Sequence, residues 1–325
     1  MFVKASYKIT LLFSFFLHSC TNSNQWYFKE GGSLLWVSEK LSDQAIKKAV
    51  TEIVENSSII VAQVSWTPND SSFFVNTAWY SSLAKRHGKR LMVAIDWQKF
   101  DRSGELGNWS FKNDQVRRMF KRDMLRLLKV YNPDFMNLGV EVNYYALTNP
   151  EGFRAFAGVF RELKKDLKLI NPNLKIGLSY QLELLYGNNR DWNETRTLIT
   201  LDNLLGDIDY LGISTYPNMV SENKKSDILF STNYLDSLCT KYSIPIGISE
   251  TGVSSLLYNE AQSSSYVNKI FLKASELNLK FVIWGSMVDS YRDSSWYDKI
   301  GLLNKNGEPK GQFKIWVKEN NTFYK

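Results

Sequence analysis

The chain has 325 residues, 44% hydrophobic, 22% charged and 14% aromatic, with a formal net charge of +7. That composition excludes a disordered or collagen-like chain and leaves ample length for one large core. With two cysteines and two histidines, disulfide staples, zinc sites and histidine-based triads are disfavoured, and no basic run interleaved with aromatics marks a nucleic-acid surface.

Lys4 and Lys8 precede the apolar stretch ITLLFSFFL (9–17), followed by HSC. A positive start, a short apolar core and a small residue describe a secretory leader over residues 1–19, and the stretch is short for a membrane span. LHSC (17–20) matches a bacterial lipobox, with His18 an unusual occupant. Cys20 is then the lipidated mature N-terminus, and residues 20–31 are a linker to a single domain over 32–325. A leader cut nearby without lipidation is the alternative. Cleavage before Cys20 removes two lysines and no acidic residue, so the +7 charge falls by two, too mild a balance to name a partner. The expected location is the outer membrane or cell surface, and the chain is read as a monomer.

Strand-like runs follow in chain order: SLLWVS (33–38), IIVAQVSW (59–66), LMVAID (91–96), FMNLGVEV (135–142), KIGLSYQ (175–181), IDYLGIST (208–215), PIGISE (245–250) and FVIWGS (281–286). Amphipathic stretches alternate with them. SDQAIKKAVTEIVENS opens on a Ser42 cap, NDQVRRMFKRDMLRLLKVY has one apolar side, and NPEGFRAFAGVFRELKKDLKLI opens on Asn149 with Pro150 at its first position. STNYLDSLCTKYS, with Cys239 against the sheet, and EAQSSSYVNKIFLKASELN precede the last two strands, and PKGQFKIWVKE closes the series. Strand then helix, eight times over, predicts an α/β fold of the (β/α)8 TIM-barrel type. A doubly wound sheet is the alternative, but no glycine-rich phosphate fingerprint follows the first strand.

In such a barrel, chemistry sits at the C-terminal strand ends. The candidates there are Trp66, Asp96 and Trp97, Glu141 with Asn143, Tyr144 and Tyr145, Tyr180 with Gln181 and Glu183, Tyr216, Glu250, and Trp284 with Ser286 and Asp289. Aromatics at one rim suit sugar rings, whose faces are apolar and whose edges need polar partners. Trp109, Tyr186, Trp192, Tyr291 and Trp296, in loops, extend that surface. Alternation along strand four places Asn137, Gly139, Glu141 and Asn143 on the inner face and Val140 on the outer one. Glu141 then points into the barrel mouth opposite Glu250. Paired carboxylates are what a retaining glycosidase needs: one nucleophile and one acid that later serves as base. Asp96, Glu183 and Asp289 are read as structural.

LGVEVN (138–143), ISETG (248–252), DYLGISTYP (209–217), FVIWGSMVD (281–289) and IGLLNKNGEPKGQFKIW (300–316) together resemble the clan A glycoside hydrolases, with a slight lean toward the endo-β-1,4-galactanase family. The resemblance implies Glu141 as acid/base, Glu250 as nucleophile and Tyr216 as the residue that orients Glu250. It also implies a β-glycan substrate with Trp284 flooring the sugar subsite, endo-action, and no cofactor. Trp66, Trp97, Tyr144 and Tyr180 at the strand ends, with Asn143 in place of the usual asparagine, are the further substrate-binding candidates. In the clan an asparagine precedes the acid/base glutamate, whereas this chain has Val140. That departure keeps open a second reading, a catalytically silent glycan-binding surface lipoprotein.

Overall fold

The computed structural model describes residues 29–35, 40–192, 196–220, 233–292 and 295–325. The leader, Cys20, most of the linker and positions 36–38 of the expected first strand lie outside them. Eight parallel strands form one sheet in the order β1-β8-β7-β6-β5-β4-β3-β2. They are β1 (Glu30–Ser33), β2 (Ile59–Ser65), β3 (Arg90–Asp96), β4 (Phe135–Asn137), β5 (Lys175–Gln181), β6 (Tyr210–Thr215), β7 (Ile246–Thr251) and β8 (Phe281–Trp284). The helices are α1 (Asp43–Asn56), α2 (Ser72–Arg86), α3 (Asp114–Tyr131), α4 (Val142–Thr148), α5 (Pro150–Ile170), α6 (Leu182–Leu185), α7 (Leu198–Asp202), α8 (Asn233–Lys241), α9 (Glu260–Glu276) and α10 (Gly311–Tyr324). This is the TIM barrel that the alternating pattern predicts. Among the described residues no helix is long and apolar enough to cross a membrane.

The barrel closes at the β1–β2 seam, where Ser58 donates its N–H to Gly31 O at 2.9 Å. β1 therefore begins at Glu30, three residues before the expected run and inside the expected linker. Glycines are poor strand formers, but a backbone approaches closely here: a Cβ on Gly32 would lie 2.9 Å from Ile59 O. Inside the ring, Ile59, Val61, Met92, Phe135, Tyr210, Phe281 and Ile283 pack with Leu34 as a separate inner core. The larger outer core lies between strands and helices.

Local chemistry sets the helix starts. Ser42 Oγ accepts from Ala45 N at 3.1 Å, and Asn149 Oδ1 accepts from Gly152 N at 2.9 Å with Pro150 in the first turn. Cys239, expected against the sheet, is half-buried on the short helix α8.

Candidate active site

Glu250 owes its direction to an irregularity. Ile246 and Ile248 sit in the outer core, so simple alternation would turn Glu250 outward as well. The β6–β7 register instead pairs Ile213 with Ile248 and Ser214 with Glu250, leaving Ser249 as an extra residue. This bulge lets Ser249 and Glu250 both face the barrel interior. Thr251 then turns outward, bonded to Thr215 O and to Tyr266 of α9.

Strand four departs from alternation too, although there the residue it re-aims is Val140. β4 ends at Asn137, not Val142. Beyond it, Asn137 Nδ2 and the Glu141 N–H both donate to Ser179 Oγ at 3.1 Å, and Gln98 Nε2 donates to Val140 O at 2.7 Å. Held by these side chains, the chain slips by one position. Val140, expected on the outer face, borders a small internal cavity with Val61, Met92 and Asn137. Glu141 caps α4 with φ +49°, a left-handed backbone that costs a non-glycine residue on the order of 1 kcal/mol or more.

Both glutamates line one cleft of about 230 Å³ at the C-terminal mouth. Tyr216 and Tyr297 each donate a hydroxyl to Glu250 Oε1 at 2.5 Å. Burial, then the neighbouring Glu141 charge, pushes Glu250 up to about 7, against the two tyrosine bonds and Arg102. Burial and the Glu250 charge hold both tyrosine hydroxyls well above their ordinary value, so they remain donors.

Glu141 is held differently. Ser214 donates to its Oε1 at 2.5 Å and Arg102 Nε to its Oε2 at 2.8 Å. Arg102 also donates from Nη1 to both oxygens of Asp96 at 2.9 Å. Burial works against the Arg102 charge, but Asp96, Glu141 and Glu250 together outweigh it. Burial raises Asp96 above the ordinary carboxylate value despite Arg102.

The structure brings together Glu141, Glu250, Tyr216 and Tyr144 of the expected site residues. The Tyr144 hydroxyl accepts from Asn189 Nδ2 at 2.7 Å. Five others are placed elsewhere. Asn143 is fully buried, donating to Gln181 O and accepting from Gln181 N, both at 2.9 Å, which joins α4 to β5. The Trp66 indole donates to Asp123 at 3.1 Å within the outer core, and that of Trp97 to Leu138 O at 3.2 Å. Tyr180 donates to Thr200 O at 3.2 Å, and Trp284 is buried with its indole on Ile300 O at 2.8 Å. All five are buried: the four rings because large rings at strand ends are drawn into the layer beneath the helices, and Asn143 because its amide is used up on the Gln181 backbone.

Of the loop aromatics, Trp192 and Trp296 line the cleft. Trp109 packs on Trp66, Tyr186 stacks on Tyr234, and Tyr291 lies against Lys40. Asp289 and Glu183 are structural as expected: Asp289 pairs with Lys310 at 2.7 Å, and Glu183 accepts from Thr215 Oγ1 at 2.7 Å. Asp96, also read as structural, is in the cleft. Sequence reasoning missed Arg102 and Tyr297. Arg102 lies in an irregular loop and Tyr297 in a single 3-10 turn (Trp296–Lys299), where no periodicity points to a face. The adjacent Trp296–Tyr297 aromatics were the only available signal.

No family model matches the chain, and no curated protein matches it in sequence. Solved structures do match in fold. A family 5 glycoside hydrolase of Bifidobacterium longum, in complex with Manβ1-4GlcNAc, superposes with a TM-score of 0.70 at 13% identity, over 91% of this chain and 78% of that one. An exo-β-1,4-mannosidase of an Opitutaceae bacterium gives 0.66 at 13%, over 91% of this chain, which spans 60% of the mannosidase. A family 17 β-1,3-glucanosyltransferase of Rhizomucor miehei gives 0.57 at 17%, over 88% of this chain and 97% of that one. At these identities the likeness establishes the barrel, a fold that these glycoside hydrolases share.

Proposed function

We propose that the chain is a retaining β-glycosidase, with Glu250 as nucleophile and Glu141 as acid/base. The observation that carries this is the meeting of two carboxylates, from the ends of β4 and β7, in one cleft, with two tyrosine hydroxyls on Glu250 Oε1. Glu250 attacks the anomeric carbon while Glu141 gives its proton to the departing glycosidic oxygen. Water then loses a proton to Glu141 as its oxygen bonds to the anomeric carbon and Glu250 leaves, with net retention. Tyr216 and Tyr297 orient Glu250 and stabilise the carboxylate as it departs.

Trp192, Trp296 and Tyr144 offer aromatic faces at the cleft and suit a sugar substrate. The lean toward β-1,4-galactan and endo-action rests on DYLGISTYP (209–217). The solved relatives include a mannosidase, so β-mannosides belong beside galactan in any substrate panel. Export as a lipoprotein anchored through Cys20 is part of the proposal and rests on Lys4, Lys8 and the apolar run up to LHSC.

A second reading, glycan binding without turnover, is favoured by Val140 and by the occupation of both Glu141 oxygens. Reducing-end release from β-linked galactan, mannan and glucan separates the two. Release by the wild type with retained anomeric configuration, abolished in Glu250→Gln, supports the glycosidase. Binding without release on every polymer supports the silent binder.

A further inference from the structure

We propose that Arg102 is a positioning residue for Glu141: it holds one carboxylate oxygen through Nε and yields that oxygen when a glycosidic oxygen arrives. The proposal rests on the glycosidase reading above. Both Glu141 oxygens are engaged as acceptors, Oε1 by Ser214 and Oε2 by Arg102. An acid must instead turn a protonated oxygen toward the leaving group. In this proposal, while Ser214 keeps Oε1, the contact that opens in the first step is that of Arg102 on Oε2. Only one of its three carboxylate bonds opens, because Nη1 stays on both oxygens of Asp96.

The same geometry assigns Arg102 a task in each half of the reaction. When the proton passes from Glu141 to the departing oxygen and Glu250 bonds to the anomeric carbon, Glu141 becomes an anion. The waiting Nε then closes on the charge that the step has just created. When Glu141 next takes a proton from water, the contact opens again. Asp96 keeps the guanidinium from swinging into the cleft, which explains a third carboxylate at this site.

The backbone supports a dedicated role. Arg102 has φ +59°, a left-handed conformation unusual for a long side chain. Its loop is tied by Arg102 N to Lys99 O at 2.9 Å and Lys99 N to Gly104 O at 2.8 Å. The titratable groups that act on or feel Glu141 are Asp96 and Arg102 from β3 and its loop, Tyr144 of α4, Tyr216 after β6, Glu250 of β7, and Tyr297.

The test compares kcat/KM for a phenyl and a 2,4-dinitrophenyl β-glycoside of the same sugar. Phenoxide needs the proton from Glu141, and dinitrophenoxide does not. In Arg102→Met the preference for dinitrophenyl over phenyl should rise by about a hundredfold, the usual worth of acid catalysis. Arg102→Lys should recover part of it, and Asp96→Asn should move the same way. Equal losses on both substrates in Arg102→Met and Asp96→Asn would reduce Arg102 to a structural contact and overturn the proposal. If the wild type hydrolyses neither glycoside, the glycosidase reading falls, and titration of 13C-labelled glutamate carboxyls decides the role of Arg102. The Glu141–Glu250 pair should then take up its first proton at higher pH in Arg102→Met. An unchanged titration would overturn the contact itself.

Discussion

Glu250 should make the protein less stable as the solution becomes more alkaline, and Glu250→Gln should remove that loss. Burial beside Glu141 raises the Glu250 carboxyl from 4.5 to about 7. An acid with a raised folded value binds its proton more tightly in the folded than in the unfolded chain. The stability this contributes is complete below about 4.5 and is lost as the pH rises through about 7. A difference of 2.5 units at about 1.36 kcal/mol per unit is roughly 3 kcal/mol. Glu250 is buried, so solvent screening does little to reduce that figure. Glutamine keeps the side-chain shape and an oxygen for the Tyr216 and Tyr297 hydroxyls, and it carries no charge at any pH. Urea unfolding of wild type and Glu250→Gln at pH 5 and pH 8 reads the effect. The variant should be more stable by about 3 kcal/mol at pH 8 and by less than about 1 kcal/mol at pH 5, since the groups remote from Glu250 titrate alike in both proteins. Midpoints that shift in parallel between the two pH values would mean that Glu250 is neither desolvated nor coupled to Glu141 as the geometry requires.

Tyr297→Phe removes one of two donors to Glu250 Oε1. It should lower kcat about tenfold or more, as expected for a bond to a charged group, and shift the acid limb of the kcat/KM profile to higher pH, because that bond favours the anion. Steady-state kinetics across pH checks both. Lys310→Met leaves Asp289 buried and without its cation, which should cost about 3 kcal/mol in urea unfolding. Gly32→Ala places a methyl 2.9 Å from Ile59 O at the barrel seam, an overpacking worth about 1–3 kcal/mol by the same assay. Trp284→Phe loses the indole bond to Ile300 O and should destabilise the fold while leaving KM unchanged, since the ring lies outside the cleft.

The barrel was legible because eight β-branched and apolar runs each had to be buried on two faces, and amphipathic helices between them had to cover the outside. β5 coincides with its expected run, and most others fall within two residues of theirs. The exceptions have physical causes. β1 uses Gly31 and Gly32, whose missing side chains allow close approach at the seam, and propensity cannot see that tertiary demand. Trp66, Trp97, Tyr180 and Trp284 fell outside the cleft because residue type shows that a ring will be buried, not whether the layer that buries it faces the cleft or the helices. Arg102 lies in a loop and Tyr297 in a single 3-10 turn, where no period assigns direction.

The two glutamates are the instructive case. Alternation along a regular strand placed Glu141 and opposite-end reasoning placed Glu250, yet neither strand keeps its alternation up to the glutamate. β7 inserts Ser249, and the chain after β4 slips at Gly139 under the hold of Asn137, Ser179 and Gln98. Each departure gives up ladder pairing, and at Glu141 it adds left-handed strain. The β7 cost falls where a carboxylate must turn from the strand into the cleft, and the strain at Glu141 falls where the chain leaves the barrel for α4. Regular strands would have been more stable and would have left Glu250 facing the helices. The bulge at Ser249 and the left-handed Glu141 therefore support the proposed site without any appeal to resemblance in sequence.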